Sequence, residues 1–169
     1  MSDFPESPVQ LKIASTSAHL PVVRAALERL CTLLGFDEHV CGDVILAVDE
    51  ALTNVIKHAY HGANDRPIEV TFTPVTVGEL RGLQVRLRDW GEQASPDRIR
   101  SRDLEDVRPG GLGVHIMKKC MDQVTYAHAA DGGTILTMVK TPGASRSGRM
   151  DQGPAAAINR GGDPPARSS

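Results

Sequence analysis

From Glu38 to His61 the chain carries a pattern that only a helix satisfies. Val44, Val48, Leu52, Val55, Ile56 and Ala59 fall on one side of a 3.6-residue winding, while Glu50, Asn54 and His58 recur every four residues along another. Four residues advance about 400° around a helix, so these three polar side chains stack on one slowly drifting stripe. Asp37 stands where an N-cap belongs and Gly62 just past the end. A helix this long with one apolar side needs a second layer to cover it. Val9, Leu11 and Ile13 alternate with polar residues as in a half-buried strand, and strands are also predicted over Ile68 to Thr73 and Leu83 to Asp89. Val124 to Ala129 and Thr134 to Thr141 form a hairpin around Asp131-Gly132-Gly133. Two more helices are expected: Leu20 to Leu34, stopped by Gly35, and Val114 to Met121, opened by Gly110-Gly111-Leu112-Gly113. Paired strands separated by helices predict an α/β fold, a two-layer sandwich with a mixed β-sheet and helices on one face.

Composition narrows what such a sandwich could do. Hydrophobic residues make up 40% but aromatics only 4%, so the core must rest on aliphatic side chains and methionine. Nineteen Lys and Arg against twenty-one Asp and Glu give a net charge of −2, which offers no electrostatic excess toward nucleic acid or an anionic membrane. The longest apolar run, Val44 to Val48, is too short to span a bilayer, and the acidic N-terminus is unlike a leader, so a cytoplasmic location is expected. Three cysteines without a CxxC pair fit reduced thiols, with Cys41 and Cys120 as small core residues. From Pro142 to Ser169, thirteen of twenty-eight residues are Gly, Pro or Ser, a composition that cannot offset its ordering entropy. The expected organisation is an N-terminal extension over 1–8, one domain over 9–141, and a disordered tail over 142–169.

Three features carry chemistry. The helix stripe turns a carboxylate, an amide and an imidazole toward one space, although a solvated helix face with ordinary i, i+4 pairs has the same spacing. On the strand Leu83 to Asp89, Leu83, Val85 and Leu87 share one face with Asp89, while Gln84, Arg86 and Arg88 occupy the other. A carboxylate on an apolar face must either end in solvent or accept hydrogen bonds from something held in a pocket. Gly91, two residues on, permits a turn or a close backbone approach. Glycines before a helix N-terminus let phosphate oxygens approach unpaired N–H groups. No Gly-Lys-Ser/Thr follows them and no strand leads into them, so neither a P-loop nor a dinucleotide fingerprint is present. Of the possible ligands Glu50, His58 and His61, Glu50 lies eight residues and two turns from His58, too far for one tetrahedral zinc ion without help from elsewhere.

Together these segments resemble the GHKL (Bergerat-fold) ATPase superfamily, most closely its bacterial anti-sigma-factor serine kinases, over Leu20 to Val139. Glu50-Ala51-Leu52-Thr53-Asn54 with His58-Ala59-Tyr60 resembles the N-box, Asp89-Trp90-Gly91 the adenine-reading box, Gly111-Leu112-Gly113 the lid glycines and Gly132-Gly133-Thr134 the last box. The resemblance implies that Glu50 is the general base and Asn54 a Mg²⁺ ligand. Asp89 would accept from the adenine amino group, and His58, Gly91, Gly110, Gly111, Leu112, Gly113 and Thr134 would complete the ATP site. Gln93 stands where the second box usually has its second glycine.

The implied function is an anti-sigma factor and ATP-dependent serine kinase that phosphorylates a STAS-type antagonist in a partner-switching pathway. It would act without direct contact to nucleic acid or membrane, and the resemblance allows a homodimer. Arg24, one turn after Leu20, would project from the first helix and contact the sigma factor or the antagonist. The stretch Glu92 to Pro109, polar and aperiodic, is expected to be a lid ordered by bound triphosphate. The alternative is a regulatory binding protein without catalysis, gated by nucleotide or independent of it; Gln93 favours it, and the intact Glu50 and Asn54 pair opposes it.

Overall fold

A computed structural model describes residues 7–92 and 112–142. In chain order they form β1 (Val9–Ala14), a 3-10 turn (Ser17–His19), α1 (Leu20–Leu34), α2 (Glu38–Asn54), a π-helical turn (Val55–Ala59), β2 (Pro67–Val77), β3 (Leu80–Asp89), α3 (Leu112–Cys120), β4 (Gln123–His128) and β5 (Thr134–Lys140). The five strands make one sheet in the order β1-β2-β3-β5-β4.

The α/β sandwich is as expected, but the sheet is not mixed: every neighbouring pair is antiparallel. The reason lies in the connections. The α1–α2 pair makes two legs and returns the chain to the end of the sheet it left, so Ala14 pairs with Pro67. The connection through α3 brings β4 in parallel to β3, as one crossover helix should. β5, the hairpin partner of β4, lies between them and runs against both.

One face of the sheet is covered by the helices. Val23 and Leu27 of α1, Val44, Val48 and Leu52 of α2 and Met117 of α3 pack on Ile68, Val70 and Phe72 of β2, Leu83, Val85 and Leu87 of β3 and Met138 of β5, all essentially inaccessible. Each such side chain contributes about 1.5 to 3 kcal/mol relative to exposure. The other face carries half-buried Thr71, Arg86 and Thr137 in one row across three strands. Gly35 ends α1 at φ 73°, and Asp37 caps α2 by accepting from the Val40 N–H at 2.8 Å. Among the described residues no helix is long and apolar enough to cross a membrane.

The second helix departs from its expected course. Regular α winding stops at Asn54, and the Tyr60 N–H then bonds to the Val55 carbonyl, five residues back. His61 and Gly62, both at positive φ, close the segment. Such single wide turns often mark functional positions in helices.

At the opposite end of the sheet Lys140 ties three elements together. Its ammonium, on a side chain only 8% exposed, donates to the Cys120 carbonyl at 2.7 Å and to Asp43 Oδ2 at 3.1 Å. Removing the α2 carboxylate leaves that charge with only the more distant Asp122 carboxylate, at 4.0 Å, so Asp43→Ala should destabilise the domain by about 1 to 3 kcal/mol. Urea unfolding should show a lower midpoint with an unchanged slope; an unshifted midpoint would contradict the role given to this pair.

Candidate functional site

The site begins on the last regular turn of α2. Glu50 and Asn54, one turn apart and half-buried, face the first turn of α3. A methyl group added at Gly113 would lie 2.8 Å from Glu50 Oε2 and 3.2 Å from Asn54 Nδ2, so glycine lets the helix start sit directly on these side chains. A carboxylate, an amide and the N-terminal end of a helix, with its unpaired N–H groups, thus meet in one place. Leu112 before Gly113 is largely exposed. Beyond Asn54 the π turn advances less per residue than an α-helix, and His58 leaves the stripe to lie exposed.

The wide turn has a second effect: it aims two acceptors at the end of β3. The Ala59 carbonyl accepts from the Glu92 N–H at 3.0 Å, and Tyr60 Oη accepts from the Trp90 N–H at 2.8 Å while donating to the Pro67 carbonyl at 2.6 Å. Gly91 is seated so closely on this helix end that a methyl group there would lie 2.5 Å from the Ala59 carbonyl oxygen. Glycine is required for contact rather than for an unusual φ.

Asp89 is buried, 5% exposed, on the apolar side of β3. Its Oδ1 accepts from the Gly91 N–H at 2.9 Å. Burial pushes its carboxyl above the ordinary aspartate value, opposed by main-chain hydrogen bonds from Gly91 and Thr134 and by the Arg88 charge. Burial likewise raises Tyr60. Gly133, at φ 71°, brings the β4–β5 turn so near that a side chain there would overlap the Asp89 carbonyl. The sequence motifs at 50–54 and 113 therefore meet in one contact, and those at 89–91 and 132–134 in another.

Two residues that alternation did not single out complete the framework. Arg88 was expected on the outer face with Gln84 and Arg86, yet its side chain is only 6% exposed because the β4–β5 turn and the Trp90 ring cover it. Tyr60, quoted only as part of a motif, is the hydroxyl that joins helix end, β2 and the Trp90 turn. Periodicity signals neither: the cover of Arg88 comes from Asp131 and Gly132, more than forty residues away, and Tyr60 acts through a tertiary contact. Arg24 projects from α1 as expected, but its Nε donates to Asp49 Oδ2 of α2 at 2.7 Å, half exposed. Gln93, Gly110, Gly111 and all of the expected lid except Glu92 lie outside the described residues. So do the extension up to Glu6 and the tail beyond Pro142.

A cavity of about 440 Å³ opens elsewhere, between the end of α1 and the start of α2, lined by Cys31, Phe36, Cys41 and Ile45 among others. None of its lining residues belongs to the set above. Cys31 is buried and its thiol is pushed far up by that burial, which fits a core residue rather than a nucleophile.

The profile of the histidine kinase-like ATPase domain matches residues 13–140. Serine-protein kinase RsbW of Bacillus velezensis is 28% identical over 140 residues, covering 78% of this chain and 84% of that protein. RsbW of Listeria monocytogenes serotype 4a is 28% identical over 141 residues, 78% and 85% of the two chains. RsbW of Bacillus subtilis is 26% identical over 140 residues, 78% and 84%. A crystal structure of RsbU and RsbW domains from Mycobacterium tuberculosis superposes with a TM-score of 0.56 at 20% identity, a likeness of fold. It covers 80% of this chain, which spans about a third (32%) of that longer one.

Asp89 links the site to pH. A folded-state carboxyl raised above its unfolded value contributes stability that is complete below the unfolded value and is lost as pH rises through the folded one. Asparagine cannot titrate, so the stability of the wild type relative to Asp89→Asn should grow as pH is lowered from 7 to 4. Thermal melts of both proteins across that range check it; a constant difference would refute the burial of an ionised carboxylate.

Proposed function

We propose that this chain, which belongs to the histidine kinase-like ATPase domain family, is an anti-sigma factor and ATP-dependent protein serine kinase whose substrate is a STAS-type antagonist. The single observation that carries the reading is the seating of Gly113 on Glu50 and Asn54. A base, a cation ligand and a helix N-terminus gathered at one point suit phosphoryl transfer, which asks a protein for positioning and charge stabilisation more than for covalent chemistry. The similarity to serine-protein kinases named RsbW, over most of both chains, supports the same choice of substrate class.

The donor set fits ATP with Mg²⁺. Asp89 is a buried acceptor of the kind that reads an exocyclic amino group, with Gly91 and the Thr134 N–H fixing its orientation. Asn54 offers an amide oxygen to the cation, and Gly113 with Leu112 opens the helix toward phosphate, joined in this proposal by Gly110 and Gly111. When bound, ATP supplies the phosphoryl group and Mg²⁺ offsets its charge. Glu50 takes the proton from the serine hydroxyl and so raises its nucleophilicity. His58 stays in the set through its motif position alone. The partners are a sigma factor and the antagonist, the protein works in the cytoplasm, and a homodimer is consistent with its family resemblance.

Glu50→Gln removes the proton acceptor while keeping size and polarity. Phosphoserine formation on the antagonist should fall by at least about 100-fold, with ATP affinity by calorimetry nearly unchanged. Transfer at the wild-type rate would exclude Glu50 as the base.

Arg24 supplies the partner contact. Its guanidinium already holds Asp49, so an acidic partner surface must compete with that carboxylate. Arg24→Ala should weaken sigma-factor or antagonist binding by about 1 to 3 kcal/mol without altering ATP affinity. Unchanged partner binding would remove Arg24 from the interface.

A further inference from the structure

Arg88 makes more contacts than a strand residue on a solvent face requires. One guanidinium nitrogen donates to the carbonyl of Asp89, and the other donates to Asp131 Oδ1 at 2.6 Å and to the Gly132 carbonyl at 2.6 Å. The guanidinium carbon Cζ lies over the Trp90 ring, 4.5 Å from its centre, and the indole N–H reaches Asp131 Oδ2 at 3.2 Å. A rigid fork serves this purpose because one planar group can bind acceptors from two segments and stack on a ring at the same time. The two segments are the Asp89–Trp90–Gly91 turn and the tip of the β4–β5 hairpin. Thr134, two residues past Gly132, gives its main-chain N–H to the Asp89 carboxylate.

We propose that Arg88 is a positioning residue for nucleotide: it clamps the β4–β5 turn onto the end of β3 and thereby fixes the Asp89 carboxylate for the adenine amino group. It touches neither phosphate nor serine, and it acts through Asp131, Gly132 and the Asp89 carbonyl. The inference rests on the reading of Asp89 as the adenine acceptor. Its consequence is a division of labour, in which nucleotide affinity depends on the clamp and the transfer step, centred on Glu50 and Asn54, does not.

Arg88→Met keeps the apolar stem that packs under Trp90 and removes the fork. ATP KM should rise about tenfold while kcat at saturating ATP stays within about twofold, a split that a general loss of stability would not produce. Trp90 is the only tryptophan of the chain, so its emission reports this one place. Emission of the nucleotide-free variant should shift to the red as the ring loses its cover. Arg88→Lys keeps the charge without the fork and should restore only part of the affinity. Asp131→Ala, at a carboxylate that is mostly exposed and outside the core, should raise KM about threefold and decides the matter if Arg88→Met fails to fold. An unchanged KM in the folded Arg88→Met protein, or in Asp131→Ala where Arg88→Met does not fold, would overturn the clamp, as would a fall in kcat at constant KM. Asp89→Asn measured alongside separates the two claims. If it binds ATP as the wild type does, the adenine reading fails; if it binds weakly while Arg88→Met does not, only the clamp fails.

Discussion

The hydrogen bonds from the Trp90 and Glu92 N–H groups to Tyr60 Oη and the Ala59 carbonyl hold the end of the sheet to the end of the long helix. Both acceptors exist there because the helix widens after Asn54. An α-helix continued to His61 would have paired the Val55 carbonyl one residue earlier, with Ala59, and the Ile56 carbonyl two earlier, with Tyr60, and turned Tyr60 elsewhere. The π turn trades regular winding for a junction at which the turn that follows buried Asp89 is docked on the helix end. A wide turn carries some cost in hydrogen-bond geometry, and here the docked turn of β3 offsets it.

Burial of charge follows the same economy. Among the described residues Asp89, Arg88 and Lys140 are the buried charged side chains of the sheet, and each is held by main-chain groups, Arg88 and Lys140 by side-chain carboxylates as well. A buried charge with incomplete partners would be expensive, so each of these residues fixes the segments that supply its partners. Lys140 does this between α2, α3 and β5, at the end of the sheet away from the Asp89 turn. Arg88 does it between β3 and the last hairpin. The aliphatic core between them is permissive by comparison, since Val, Leu and Met positions tolerate exchange of similar volume.

How much of this the sequence made legible depended on whether the signal was local. The helix Leu20 to Leu34 with Gly35, the Asp37 cap and the last hairpin were readable because propensity, capping and turn chemistry all lie within a few residues. Strand direction was not: β5 inserts between β3 and β4, a consequence of register that no window contains. Asp89 was legible as an anomaly, a carboxylate in an apolar row, and the row continued into the buried face as alternation required. Arg88 lies on the face that alternation gave it, but its burial was not legible, because its cover comes from Asp131 and Gly132, more than forty residues away. The stripe of three was legible for Glu50 and Asn54 and failed at His58, where winding rather than spacing changed. Gly113 could be read as a phosphate-loop glycine, but its contact with Glu50 and Asn54 is purely tertiary.

Asp49 and Glu50 are neighbours on α2 and point about a quarter turn apart. The first is engaged by Arg24 of α1 and the second meets Gly113 of α3. A partner that draws Arg24 away leaves Asp49 unpaired one residue from the base, on a helix whose backbone carries both. Because α2 is packed against α1, α3 and the sheet, it cannot rotate freely to absorb the change, and the disturbance must be shared by the contacts on its other side. If nucleotide at the Glu50 side alters the energy of the Arg24 and Asp49 pair, the partner must alter nucleotide affinity by the same factor, since coupling between two binding sites is reciprocal. If Arg24 and Glu50 take the roles proposed above, adjacent residues of one helix offer a short physical route for a switch. Its strength is measured by the difference in ATP affinity with and without the bound partner.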